Sequence, residues 1–156
     1  MNLRNTLPFL FLAGFLSAQM VESKPQGGGM LKIGEAVYRF EPMDLRSAPP
    51  RNGLPAVIRL EGRLVPVDGS PSFHLILTLL KDGSIYLLKL ERKTPGGYPD
   101  SWAATLKTRT HLLKMEDHPG GIVELRCEGR LTGIMAKRPQ DADWSGILWA
   151  SFPPSR

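Results

Sequence analysis

Two stretches of this chain, RLEGRLVP at residues 59–66 and RCEGRLTG at residues 126–133, obey one rule of construction. In residues 57–65 the charged Arg59, Glu61 and Arg63 alternate with Leu60, Gly62 and Leu64. In residues 122–132, Glu124, Arg126, Glu128 and Arg130 alternate with Val123, Leu125, Cys127, Gly129 and Leu131. A period of two sets successive side chains on opposite faces of an extended strand, one wet and one dry, which a helix of 3.6-residue period cannot do. The echo therefore marks two half-buried strands. The two halves share no extended similarity beyond it, so a duplicated active site is not supported.

Cys127 falls on the dry face, where apolar surroundings raise a thiol's pKa and leave it inert. It is the chain's only cysteine, so no internal disulfide is available and packing alone must hold the fold. Gly62 and Gly129 lie on the inner face, and glycine within a strand marks a bulge or a close approach. The expectation is that they admit a bulky side chain from a facing strand.

The clearest local signal is SFHLILTLLKDGSIYLLKLER, residues 72–92, in which two apolar runs flank Asp82-Gly83. Asp-Gly between strands favours the tight turn whose positive φ angles match strand twist, so this is a β-hairpin. Its first arm is apolar on nearly every residue from Leu75 to Leu80, which predicts cover on both faces. Residues 30–40 predict a first strand, kinked or turned at Gly34. Residues 41–55, with four prolines and Asn52-Gly53, predict a loop. TPGGYPD (94–100) and HPGG (118–121) predict turns. Between them, residues 101–117 read two ways: Trp102, Leu106, Arg109 and Leu113 fit a helical stripe, whereas Thr105, Thr108 and Thr110 suit a pleated surface. Strand is preferred because threonine's branched Cβ packs better there. The last strand spans residues 143–152. Seven to eight short strands with no strong helix predict an all-β fold, an antiparallel β-sandwich or a small β-barrel, and the pattern does not choose between them.

The opening segment MNLRNTLPFLFLAGFLSAQM carries one positive charge at Arg4, an apolar run from Leu7 to Leu16, then Ser17 and Ala18. This is the layout of a secretory signal peptide, with cleavage expected after Ala18. The run is too short for a membrane span and contains Pro8 and Gly14. Residues 1–18 then form the signal, 19–29 a flexible glycine-rich lead and 30–153 a single all-β domain, periplasmic or extracellular, with no transmembrane span after cleavage. Basic residues are interleaved with glutamates, so neighbouring charges cancel and no basic stripe for nucleic acid forms.

Catalytic signatures are sparse: there is no HExxH, no GxSxG and no glycine-rich phosphate loop. The metal candidates are His111, Asp117 and His118, with Glu116 beside them. The simpler reading is a solvated turn whose amides Asp117 caps. His74 starts the hairpin beside Phe73 and is expected to be half buried. Glu61, Glu91, Glu124 and Glu128 each have an Arg or Lys neighbour and read as charge ladders on an exposed sheet face. Tyr98, Trp102, Trp144 and Trp149 could line a sugar- or lipid-binding surface, with core packing the simpler reading. No cofactor is implied.

The signal, the Gly-then-aromatic first strand (Gly34, Tyr38, Phe40), the long apolar hairpin and the late strand glycines of LTGI (Gly133) and WSGILWASF (Gly146) are similar to those of small exported bacterial all-β proteins of uncharacterised function. The resemblance covers most of residues 30–152 and implies no site residues. The expected function is a non-catalytic binding or structural β-domain of a bacterial envelope, its partner an envelope protein or a small apolar ligand. Two alternatives stand beside it: a barrel carrying a lipid-like apolar ligand, and a hydrolase using histidine and surface carboxylates.

Overall fold

The computed structural model describes residues 24–155. The proposed signal and its cleavage site lie outside them. Nine strands follow in chain order: β1 (Gly27–Ile33), β2 (Ala36–Ala48), β3 (Val57–Pro66), β4 (Phe73–Leu80), β5 (Ile85–Arg92), β6 (Asp100–Ala104), β7 (Arg109–Met115), β8 (Ile122–Met135) and β9 (Arg138–Ser151). They form one antiparallel sheet in the order β6-β5-β4-β3-β2-β1-β9-β8-β7. Pairing of β6 with β8, from Ser101↔Ile134 to Ala104↔Leu131, closes it. The result is an eight-stranded antiparallel barrel with β7 as an extra strand, which settles the choice between sandwich and barrel.

The two echoed segments are walls of this barrel. On β3, Ile58, Leu60, Gly62 and Leu64 are buried while Arg59 and Arg63 are exposed; on β8, Val123, Leu125, Cys127 and Leu131 are buried while Arg126, Glu128 and Arg130 are exposed. Both singled-out glycines sit at close approaches, but only Gly62 is buried and meets a bulky side chain; Gly129 is exposed and meets backbone. A Cβ on Gly62 would lie 2.5 Å from Phe40 Cε2, because the Phe40 ring fills that space; at Gly129 it would strike the carbonyl oxygen of Lys107. An eight-stranded barrel is just wide enough for side chains to fill. Here Leu31, Phe40, Leu45, Phe73, Leu75, Leu77, Leu90 and Trp144 do so at 0–1% exposure.

Four expectations need correction. The glycine-rich lead is not free throughout: Gly27–Gly29 belong to β1 and pair with Leu148–Ala150 of β9. Side chains on Gly27 and Gly29 would collide with the carbonyls of Trp149 and Ile147, so these two glycines serve close strand approach rather than flexibility. Residues 41–48, read as loop, continue β2; the register shifts between Pro42 and Asp44, and such a bulge accommodates a proline that cannot donate to the ladder. Residues 30–40, read as one strand, belong to two, β1 and β2, because Gly34, with φ of +58°, makes the turn that was one of the two options at that position. The Leu75–Leu80 run is fully covered only on its inner face: Leu75, Leu77 and Leu79 are buried inside, whereas on the outer face Thr78 is buried but Ile76 and Leu80 are half buried.

Residues 101–117 are extended, as preferred, yet broken into β6 and β7. Both run along the same edge of β8, β6 on Leu131–Ile134 and β7 on Val123–Glu128. The turn between them is drawn onto β8, where Thr105 and Thr108 hydroxyls donate to the Arg130 carbonyl at 2.8 and 2.6 Å.

Candidate functional site

Alternation that sends leucines inward sends ionisable groups outward, and on β2, β3 and β4 these make a ladder. Arg39 and Arg63 both donate to Glu41, at 2.7 and 2.9 Å. Glu61 takes Arg59 at 3.1 Å and the His74 ring at 2.8 Å. Burial pushes the Glu61 carboxyl up, but the Arg59 and His74 hydrogen bonds outweigh it and hold the group below the usual carboxylate range. A second His–carboxylate pair joins His111 of β7 to Glu128 of β8 at 2.7 Å, and that bond lowers the Glu128 pKa. Lys89 lies 2.8 Å from Glu91. Cross-strand pairs are thus present at Glu61 and Glu128, each with a histidine, whereas Glu91 pairs within its own strand and no partner is found for Glu124 among the described residues.

His74 borders a surface hollow of about 400 Å³, lined also by Glu61, Ser72, Glu91 and Arg92. The sequence does not reveal the His74–Glu61 pair because it depends on the β3–β4 register, in which His74 lies opposite Arg63. It is more exposed than the half-buried strand end expected of it, with 46% of its side chain open to solvent.

The metal candidates are not gathered. His111 is engaged by Glu128, and His118 Nδ1 lies 3.0 Å from the carbonyl oxygen of the adjacent Pro119. The carboxylate that holds the 116–121 turn is Glu116, accepting from the Ile122 amide at 3.2 Å, rather than Asp117. Among the described residues no three metal-ligating side chains cluster.

The four aromatic candidates do not share a surface either. Trp102 and Trp144 are core residues, 5% and 1% exposed, while Tyr98 and Trp149 are open to solvent. Trp144 Nε1 donates to the Glu128 carbonyl at 2.9 Å; Trp102 Nε1 is buried without a partner. Trp149 borders a shallow hollow of about 710 Å³ over Gly27–Gly29, and Tyr98 lies under the Lys137 ammonium, 5.3 Å from its ring centroid. Cys127 is 1% exposed, and burial pushes its thiol up to about 12.

Two features have no counterpart in the sequence reading. Arg92 packs over Phe73, 4.6 Å from its centroid, and donates to Asp100 at 2.7 Å. Asp100 also accepts the Ala136 amide at 2.8 Å, which ties the β5–β6 end to the β8–β9 turn. Burial pushes the Asp100 carboxyl up, but the Ala136 amide and Arg92 together bring it below its ordinary value. The other feature is a gap in the wall. β5 pairs with β6 only over Lys89–Arg92, and the Thr110 hydroxyl meets the Gly83 carbonyl at 2.5 Å beyond it. Between these two points Ile85–Leu88 face a hollow of about 740 Å³ lined also by Ala103–Leu106.

The filled interior and the outward display of charge leave the outer wall, the gap and the barrel ends as the surfaces available to a partner. Comparison with known proteins returns no match: no family model, no curated protein and no solved structure matches the chain.

Proposed function

We propose that this chain is an exported, non-catalytic binding or structural module of a bacterial envelope, which works from its outer surface. The observation that carries this reading is the division of the barrel into a side-chain-filled interior and an outer wall that carries paired charges along β2, β3 and β5. A filled interior offers no chamber among the described residues for the carried apolar ligand of the carrier alternative. The signal-like layout of residues 1–18 supports export. The test is cell fractionation with intact-mass measurement, followed by native mass spectrometry of the envelope-purified protein. The expected result is a chain beginning at Gln19, in the periplasmic or extracellular fraction, with no internal lipid retained. A full-length cytoplasmic chain contradicts export, and a stoichiometric apolar ligand contradicts the filled-barrel reading.

One observation favours the hydrolase alternative. His74 and Glu61 are within hydrogen-bond reach beside a hollow that also contains Ser72. Against it, Glu61 is already neutralised by Arg59 and lies on an open sheet face, where water competes for every contact. Turnover of a panel of activated esters that disappears in His74→Ala would establish this second reading.

A further inference from the structure

We propose that the gap in the wall beside β5 is a docking site for an extended, acidic segment of a partner polypeptide, which adds to the free edge of Ile85–Leu88 as a further strand; the proposal rests on the binding-module reading above and names the kind of partner. β5 pairs with β4 from Ile85 to Glu91, apart from a bulge at Tyr86, but with β6 only over Lys89–Arg92. On the β6 side, Ile85–Leu88 therefore have no strand beside them. β6 ends at Ala104, opposite Leu131 of β8, and β7 starts at Arg109, opposite Glu128, so the 105–108 turn interrupts the wall where β5 lacks a neighbour. Four residues of strand offer about 13 Å of edge. The hollow beside them, about 740 Å³, lies within the range of ligand sites.

This edge is unguarded. A row of unpaired backbone N–H and C=O groups is a template for another strand, and proteins blunt such rows with proline, charge or a bulge. The free side of β9 at 138–142 carries Arg138, Pro139 and Asp141, and that of β2 past the Pro42 bulge carries Asp44 and Arg46. Ile85–Leu88 has neither proline nor charge. The bulge of β5 lies on its β4 side, where Tyr86 is the extra residue, and it turns two consecutive side chains outward. Tyr86 is 55% exposed and Leu87 47%.

The far rim of the gap supplies an apolar contact and positive charge. Leu106 borders the hollow, is 94% exposed and is held in place. The Thr108 hydroxyl oxygen accepts the Thr105 amide at 2.7 Å, both threonine hydroxyls donate to the Arg130 carbonyl, and the Arg109 guanidinium donates to the Leu106 carbonyl at 2.5 Å. A turn fastened at both flanks cannot fold its leucine back onto the barrel. Arg109 stands opposite Glu128, but Glu128 is bonded to His111, and no ion pair among the described residues includes Arg109 or Lys107. The carboxylate of the lining, Asp82, is bonded to Ser84. The rim is therefore net basic, and an acidic segment is what it attracts.

The same features argue against a second copy as the occupant. Two β5 edges paired about a two-fold axis would crowd both 105–108 turns, each carrying Lys107 and Arg109, into one interface of like charge. A single extended segment lying along β5 meets no such repulsion. Its main chain bonds to the Ile85–Leu88 edge without regard to sequence. Its alternate side chains give selectivity, an apolar one toward Leu87 and Leu106 and an acidic one toward Lys107 and Arg109.

The test pans the full chain against a phage-displayed library of random heptapeptides and measures the selected peptide, synthesised with a fluorophore, by anisotropy. The expected consensus alternates apolar and polar residues and carries an aspartate or glutamate. Binding should fall about tenfold or more in Leu106→Asp combined with Lys107→Glu, and likewise in Leu87→Lys, which guards the edge with a charge. Val67→Asp with Arg51→Glu, in the loops on either side of β3, should bind as the parent does. All five positions are exposed, and circular dichroism checks that each variant keeps the parent spectrum. The bound peptide should slow exchange of the Ile85–Leu88 amides, and N-methylation of one alternate set of its own amides should abolish binding. Selection of no peptide, binding indifferent to N-methylation, or equal loss in all variants overturns the proposal. A chain dimer that Leu87→Lys dissolves assigns the edge to a second copy and overturns it too. An exported chain that selects no peptide refutes the docked strand and leaves export standing; a cytoplasmic chain that selects one does the reverse.

Discussion

Replacing Asp100 should be among the most damaging polar substitutions in the barrel. Its side chain is 9% exposed and that of its partner Arg92 18%, so the pair lies between a surface ion pair and a fully buried one. Surface pairs contribute up to about 1 kcal/mol, whereas breaking a buried pair costs about 3–5 kcal/mol because a charge is left uncompensated. Asp100→Ala strands Arg92 over Phe73 and also frees the Ala136 amide in the β8–β9 turn. The expected cost is about 2–4 kcal/mol. Asp100→Asn keeps an acceptor for Ala136 and loses only the charge, so about half that cost is expected. Urea unfolding followed by tryptophan fluorescence reads the difference: with a slope of about 2 kcal/mol per molar, Asp100→Ala should lower the midpoint by about 1–2 M. The pH dependence has a fixed sign. The folded-state pKa of Asp100 is lowered, so its contribution is present above the unfolded value of about 3.9 and disappears as pH falls through the folded value. The gap between parent and variant should therefore close in acid. Equal midpoints for Asp100→Ala and the parent at neutral pH, or a gap that widens in acid, would refute the reasoning.

Other consequences are as direct. Cys127 should resist thiol reagents in the native protein and react at once in urea, since burial holds its thiol at about 12; fast native labelling would place it outside the core. Gly62→Ala should cost about 1–3 kcal/mol, because the new Cβ meets Phe40 at 2.5 Å and the Glu41 carbonyl at 2.6 Å. At Gly28 the nearest atom to a Cβ is Trp149 Nε1 at 3.7 Å, so Gly28→Ala should be close to neutral in the same unfolding assay. Amides of Ile85–Leu88 that face the gap should exchange with solvent faster than those of Lys89–Glu91, which is paired on both sides; uniform protection along β5 would mean that the wall is continuous.

The parts of the fold legible in the sequence are those where one side of a strand meets the filled interior. β3 and the first half of β8 lie wholly within that zone and alternate clearly, and Asp82-Gly83 announces its hairpin through turn chemistry. The pattern fades where a strand runs past the packed core. Residues 138–142 of β9 pair with β8 alone, because the β1 ladder reaches β9 only at Ile33↔Trp144, and they are polar accordingly. β2 was hidden by Pro42, whose missing amide is absorbed by the bulge that follows. The break between β6 and β7 arises from threonine hydroxyls that bond a carbonyl on β8, a long-range partner that no local pattern reveals. For the same reason the His74–Glu61 and His111–Glu128 pairs needed the strand register. Individual residue types were informative about burial, as at Cys127, but not about assembly: Trp102 and Trp144 went to the core while Trp149 and Tyr98 remained outside.

The central claim is that alternate residues of the echoed segments face a common packed interior. Single cysteines placed in turn at residues 58–64, in a Cys127→Ala background, test it through their native labelling rates. The account predicts slow labelling at 58, 60 and 64 and fast labelling at 59, 61 and 63, with substituted Gly62 read only if the variant folds. Rates that repeat with the period of a helix, or that show no alternation, would contradict it.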